Sequence, residues 1–161
     1  MRISSRGQYG IRALVVLAGR HGRGPTQVRE IARVEGLSAK YLEQLLGRLR
    51  TGGLVRSVRG ARGGYVLARD PGGITVREVL LLLEGSLAPV GCVDEGGACA
   101  DATGNACVAH PLWRGLHTTV LGYLDSYTLA DLVPAAAPVE AGRPAAPAPA
   151  EDELVAATTR G

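Results

Sequence analysis

The sequence predicts a mainly α-helical fold that carries one short β-hairpin, and three observations lead there. Apolar residues recur at helical spacing in three successive segments before residue 52, each closed by glycine. Two short β-type runs, residues 54–58 and 65–67, then flank a tip made of Arg, Ala and Gly. A longer periodic stretch begins beyond Pro111, after a glycine-rich segment that holds all three cysteines of the 161-residue chain. With no Phe and one Trp, the core of such a fold must be aliphatic.

Taken in order, Ser4 and Ser5 are good helix N-caps. Ile11, Leu14, Val15, Leu17 and Ala18 form the apolar side of a first helix over residues 4–21, which Gly22 and Gly24-Pro25 close. Thr26 is the expected cap of a second helix, with Val28, Ile31, Ala32 and Val34 on its apolar side and Gly36 at its end. Ser38 caps a third helix through Arg50, with Tyr41, Leu42, Leu45, Leu46 and Leu49 inward and Gly52-Gly53 as the stop. Two short helices across a Gly-containing turn are the sequence form of a helix-turn-helix. The hairpin that follows, with Arg59-Gly60-Ala61-Arg62-Gly63-Gly64 at its tip, makes a wing. Thr75-Val-Arg-Glu78 reads as a capping box for a fourth helix. A last long helix runs from Leu112 to about Tyr127, and Thr128 caps a final turn over residues 129–133. Five of the nine prolines fall in residues 134–161, an Ala/Pro-rich tail expected to be disordered.

Charge points to a partner. The net charge is only +3, but residues 1–70 hold 14 Arg or Lys against 4 acids, whereas residues 71–133 hold 2 against 7. A first half so basic suits a polyanion, and nucleic acid is the first candidate. On the third helix the outward face presents Ala39, Lys40, Glu43, Gln44 and Arg48, beginning at Ser38. Donors and acceptors in the first turns are what a helix in a major groove needs to reach base edges. Any amphipathic helix has a solvated face; the basic wing directly after it decides for a winged helix. Arg59 and Arg62 suit a minor groove or phosphates. The candidate double-stranded DNA contacts are thus Ser38, Lys40, Tyr41, Glu43, Gln44, Arg48, Arg59 and Arg62, Tyr41 being shared with the inward face.

Trp113, Leu116, Val120, Tyr123 or Leu124, and Tyr127 fall on one stripe of the last helix. Such a stripe calls for a second surface, and a homodimer would offer two reading helices and two wings to a palindromic operator. Cys92, Cys99, Cys107 and His110 lie within 19 residues on a loop that can fold back on itself. Three soft sulfurs and an imidazole are a candidate four-ligand metal site. A metal-free thiol switch and a zinc-binding interaction module use the same residues. An odd cysteine count argues against a disulfide framework.

These residues together resemble the iron–sulfur cluster regulator (IscR-like) family of dimeric winged-helix transcription factors. The match is carried by Ser4-Ser5-Arg6-Gly7-Gln8-Tyr9, Tyr41-Leu42-Glu43-Gln44-Leu45, Arg48-Leu49-Arg50 and Gly53-Leu54-Val55-Arg56-Ser57-Val58-Arg59-Gly60. It continues through Gly63-Gly64-Tyr65-Val66-Leu67, Cys107-Val-Ala-His110-Pro-Leu112-Trp113 and Thr128-Leu-Ala-Asp131-Leu132-Val133, covering nearly all of residues 1–133. The resemblance implies a 2Fe–2S cluster on Cys92, Cys99, Cys107 and His110, where an imidazole in place of a thiolate makes the cluster less anionic. It also implies that an acid at Glu43 helps set the class of operator bound. Two features depart from the pattern: the cysteines are separated by six and then seven residues, and Gln8 stands where nitric-oxide-sensing relatives place a carboxylate ligand.

The organisation expected is therefore a winged helix-turn-helix over residues 1–84, a cluster-binding loop over 85–111, a dimerisation helix with its final turn over 112–133, and the tail over 134–161. No apolar run approaches a membrane span, and the N-terminal apolar stretch is interrupted by Arg12 without a convincing cleavage site, so a cytoplasmic protein is expected. No small-molecule substrate and no catalysis are expected. Cys107 and His110 stand three apart on a loop with no orienting third group, which is a poor start for a cysteine hydrolase.

Overall fold

The structure, a computed structural model, describes residues 3–94 and 107–133. Six α-helices and one hairpin follow in the order α1 (Ser5–Ala18), α2 (Val28–Glu35), α3 (Ala39–Thr51), β1 (Val55–Val58), β2 (Gly64–Leu67), α4 (Val76–Glu84), α5 (His110–Asp125) and α6 (Leu129–Leu132). Short 3-10 turns at Pro71–Gly73 and Gly91–Val93 flank α4.

The predicted caps at Ser4 and Ser38 form: each hydroxyl accepts the N–H three residues on, from Gly7 and Tyr41. Gly36 ends α2 in the left-handed conformation at φ 67°, open to glycine at little cost. Leu14, Leu17, Ile31, Leu42, Leu45, Leu46 and Leu49 bury together, so the inward faces of the first three helices make one aliphatic core. Val34, expected on the apolar side of the second helix, is instead 53% exposed, because it falls one step outside the buried stripe of Ile31 and Ala32.

Two expected caps differ. Thr26 does not cap α2, which starts from Gln27 without a side-chain cap. Instead Thr26 is buried and exchanges two 2.9 Å backbone hydrogen bonds with Tyr65, adding a third extended segment beside the hairpin. Its main chain is committed to β2, and the helix starts later. At α4 the box is half made: Thr75 accepts the Glu78 N–H, but the Glu78 carboxylate turns to Arg69. The complete box is at the last turn, where Thr128 and Asp131 bond reciprocally. The Asp131 carboxyl is held below its usual range by the Thr128 hydroxyl and N–H.

The hairpin pairs Val55 with Leu67 through Val58 with Gly64. A Cβ at Gly64 would overlap the Thr26 carbonyl oxygen and lie 2.5 Å from its carbon, so glycine is what lets the third segment approach. Along α1, a Cβ at Gly10 would overlap Leu83, which brings α4 against α1. At the same junction the Glu84 carboxylate, 8% exposed, accepts from the Ser4 N–H at 3.2 Å and the Ser4 hydroxyl at 2.8 Å. A carboxylate there also favours the positive end of α1. Leu129 of α6 is fully buried in the main core, and Thr75 bridges Thr128, so the last turn closes the core built by the first 84 residues. No described helix is long and apolar enough to cross a membrane.

Candidate nucleic-acid interface and cysteine loop

On α3 the burial splits the helix in two. Leu42, Leu45, Leu46 and Leu49 are buried, while Ser38, Lys40, Glu43, Gln44 and Arg48 are exposed. Tyr41 is half-buried and packs against the core, its ring edge-on to Tyr9. At the wing, Arg59 and Arg62 are exposed on either side of Gly60, whose φ of 118° only glycine readily adopts.

The ion pairs show which cations are already committed. Arg12 pairs with Glu35, Arg20 with Glu30, Arg69 with Glu78 and Arg77 with Asp125, and Arg6 lies 4.0 Å from Glu84. Among the described residues, Lys40, Arg48, Arg59 and Arg62 have no ion-pair partner, and neither do Arg29 and Arg33 on α2 or Arg56 on β1. Free cations thus gather on the helix-turn-helix and the wing, where each can displace a counterion from a phosphate. No motif in the sequence singles out Arg29 or Arg33, which only the overall arginine density of residues 1–70 signals; Arg56 stands in a stretch that carries the family resemblance but is given no role by it. Glu43 is also without an ion pair among the described residues, leaving its carboxylate available to accept from a cytosine amine.

Glu35 is the unusual acid of this half. Its side chain is 8% exposed, and burial pushes the carboxyl up from its ordinary value against the pull of Arg12, whose Nε stands 2.5 Å from Oε2. That contact lacks hydrogen-bond geometry, and Oε2 has no hydrogen-bond partner.

Of the four candidate metal ligands, Cys92 lies in the Gly91–Val93 turn, Cys107 just before α5, and His110 is the first residue of α5. The His110 N–H donates to the Cys107 carbonyl at 3.0 Å, and the Cys92 turn packs against α5. Both thiols are half-buried and unbridged. Cys99 lies outside the described residues, and among those described no three His, Cys or acidic side chains converge on one point. The donor set nevertheless suits a soft metal: a thiol and an imidazole on two elements in contact, a second free thiol three residues before that imidazole, and a third between the two cysteines in sequence.

No residue of α5 is buried within the chain. Leu121 and Leu124 pack against the Val76, Leu80 and Leu87 cluster, while Trp113 and Val120 are half-exposed. Leu116 is 43% exposed, Tyr123 63% and Tyr127 39%. The stripe read from the sequence therefore divides, with Leu124 against its own α4 and Tyr123 directed to solvent. The Tyr123 and Tyr127 rings lie 5.2 Å apart on that outer side.

Residues 3–135 match the family model Rrf2, described as an iron-dependent transcriptional regulator. The HTH-type transcriptional regulator IscR of Enterobacter sp. (strain 638) is 41% identical over 133 residues, spanning 83% of this chain and 80% of that protein. The HTH-type transcriptional regulator CymR of Bacillus subtilis (strain 168) is also 41% identical, over 82% of this chain and 89% of that protein. Among solved structures, that of CymR, the global cysteine regulator of B. subtilis, superposes with a TM-score of 0.73 at 39% identity, covering 85% of this chain and 99% of that one. IscR of T. potens superposes with a TM-score of 0.69 at 38% identity, covering 89% and 94%. The winged helix and these likenesses agree: the chain belongs to the Rrf2 family of DNA-binding transcriptional regulators, a family of regulators and not of enzymes.

Proposed function

We propose that the chain is a homodimeric regulator, acting as a repressor, whose hold on a palindromic operator depends on a 2Fe–2S cluster bound by Cys92, Cys99, Cys107 and His110. The observation that carries this reading is the donor set itself: Cys92 and Cys107 are free thiols, the Cys92 turn packs against α5, and His110 opens that helix three residues after Cys107. When bound, such a cluster supplies oxidant-sensitive redox chemistry at a position that ties the loop to the start of α5. The chain's own residues do the rest. Lys40 and Gln44 offer donors to base edges, Glu43 an acceptor, and Arg59 and Arg62 hold the backbone and minor groove. Trp113, Leu116, Val120, Tyr123 and Tyr127 offer an apolar surface to a second copy, and Arg77 ties the far end of α5 to α4 through Asp125 at 2.5 Å. A hundredfold difference in operator affinity between two states of the loop needs only about 3 kcal/mol.

Protein purified without oxygen should show visible absorption and circular dichroism with matched iron and sulfide, and Cys99→Ala or Cys107→Ala should lose both. Iron-free preparations under every growth condition, or operator binding indifferent to metal loss, would sink the cluster reading. A second reading rests on the equal identity to CymR and on the two half-buried thiols: a metal-free thiol switch. It predicts colourless protein whose operator binding changes with thiol oxidation and is restored by reductant. Colourless protein carrying zinc would instead support a structural metal module.

A further inference from the structure

Four side chains tie α1 to the helix-turn-helix. Tyr9, buried on α1, meets Tyr41 edge to face, with ring centroids 6.1 Å apart and planes at 85°. One turn on, Arg12 lies over the Tyr9 ring, 5.5 Å from its centroid, and its Nε reaches Glu35 at 2.5 Å. Glu35 is the last residue of α2, and Tyr41 is the third of α3. Between them lies the turn that decides where α3 begins, with Gly36 left-handed and Ser38 capping. One face of α1 thus grips both ends of that turn.

Stability is a poor explanation for this arrangement. A buried carboxylate facing arginine is roughly neutral against apolar residues of the same size, because desolvation offsets the attraction. What the pair and the ring edge do supply is position: two contacts hold the end of α2 and the start of α3 against one face of α1. Hydrogen bonds to base edges tolerate only a few tenths of an ångström, so a shift of about 1 Å at the first turn of α3 would lose them. Phosphate contacts made by flexible arginines would survive the same shift.

We propose that Tyr9 and Arg12, with Glu35, are positioning residues for sequence reading: they fix the first turn of α3 so that Lys40 and Gln44 meet their bases. This rests on α3 being the helix that reads the operator. The clasp sets discrimination between operator and other duplexes, and leaves general duplex affinity to the free cations.

The test uses the full chain, purified without oxygen, with an operator selected from a random duplex pool and a scrambled duplex of equal length. Affinities for both are measured by fluorescence anisotropy on the folded fraction. Tyr9→Leu should lower the operator-to-scrambled ratio about tenfold, the scale of one misplaced base contact, while scrambled-duplex affinity stays within about twofold, the cations being untouched. Tyr9→Phe, which keeps the ring edge, should preserve the ratio. Should Tyr9→Leu not fold, the apolar double variant Arg12→Met/Glu35→Met carries the test with the same expected loss. A ratio unchanged in Tyr9→Leu or in the double variant, with only the melting temperature lowered, overturns the clasp. Gln44→Ala separates the two ideas: if it leaves the ratio intact, or if selection returns no consensus, the reading role of α3 fails and the clasp with it. If it lowers the ratio and Tyr9→Leu does not, the clasp fails alone.

Discussion

Replacing Gly64 by alanine tests how the wing is held. The new Cβ would overlap the Thr26 carbonyl oxygen and stand 2.5 Å from its carbon and 2.9 Å from the Gln27 nitrogen. All three are backbone atoms of a segment fixed by the start of α2, so no side-chain rotation relieves the overlap. The segments must separate, and the two 2.9 Å bonds between Thr26 and Tyr65 break. At about 1 kcal/mol net per bond, and with Thr26 left buried, the loss is roughly 2–4 kcal/mol. Relief of glycine's unfolded-state entropy returns at most about 1 kcal/mol. A net loss of about 2 kcal/mol corresponds to a fall in Tm of about 10 °C for a domain of this size. Gly47→Ala is the matched control. Gly47 is inside α3 with nothing within 4 Å of its Cβ position, so alanine there should raise Tm by a few degrees through helix propensity alone. Thermal unfolding followed by circular dichroism reads both. If Gly64→Ala melted within about 2 °C of the parent, the idea that Thr26 anchors the wing through close backbone contact would be wrong.

Three further outcomes are expected. Arg12→Met leaves Glu35 buried without its cation, and because burial already raises that carboxyl, the folded state holds its proton more readily than the unfolded chain. The stability linked to that proton is present below the unfolded pKa and is lost as pH rises through the folded one, so the variant should lose about 1–3 kcal/mol in urea unfolding at about pH 7.5 and little at about pH 4. Arg59→Ala and Arg62→Ala should each weaken duplex binding and reduce the slope of log affinity against log salt by about one; an unchanged slope would remove that residue from the phosphate-facing surface. Tyr123→Lys and Leu116→Lys place charge on exposed apolar positions of α5 that their own domain does not cover, so sedimentation should show monomer with an unchanged far-ultraviolet spectrum. A dimer as tight as the parent would move the interface elsewhere.

What the sequence made readable was local. The caps at Ser4 and Ser38, the left-handed glycine after α2, the leucine face of α3 and the glycine–arginine wing each depend on residues within a turn or two of one another. What escaped depends on partners outside that local window. Thr26 looks like an N-cap until Tyr65, 39 residues away, takes its backbone. Glu78 looks like half of a capping box until Arg69 takes its carboxylate. Arg12 and Glu35 look like solvated charges, and nothing in their spacing says that one buries against the other. On α5 the period revealed a stripe, but only packing shows that Leu124 faces the Val76 cluster while Tyr123 faces out. The cysteine loop was legible as a donor set, because ligand chemistry is written in residue types. Its geometry depends on how the Cys92 turn meets α5.

The packing around α4 says where a change at that loop would be felt. The Cys92 turn packs on α5, α5 packs on α4 through Leu121 and Leu124, and α4 in turn packs on α1 and α3. The inner joints are tight. A Cβ at Gly7 or Gly10 of α1 would overlap Glu84 or Leu83, and one at Gly52, where α3 ends, would overlap Leu82 of α4. The outer joint is more open: no residue of α5 is buried, and a cleft of about 420 Å³ lined by Leu82 and Asp125 lies where α4 meets the end of α5. Close-packed interiors move as units, and displacement concentrates where packing is loose. A regulator that couples its loop to DNA would therefore keep α1, α3 and α4 together and let α5 shift against them. The clasp of Tyr9 and Arg12 belongs to the unit that moves as one and keeps the start of α3 in register with α1.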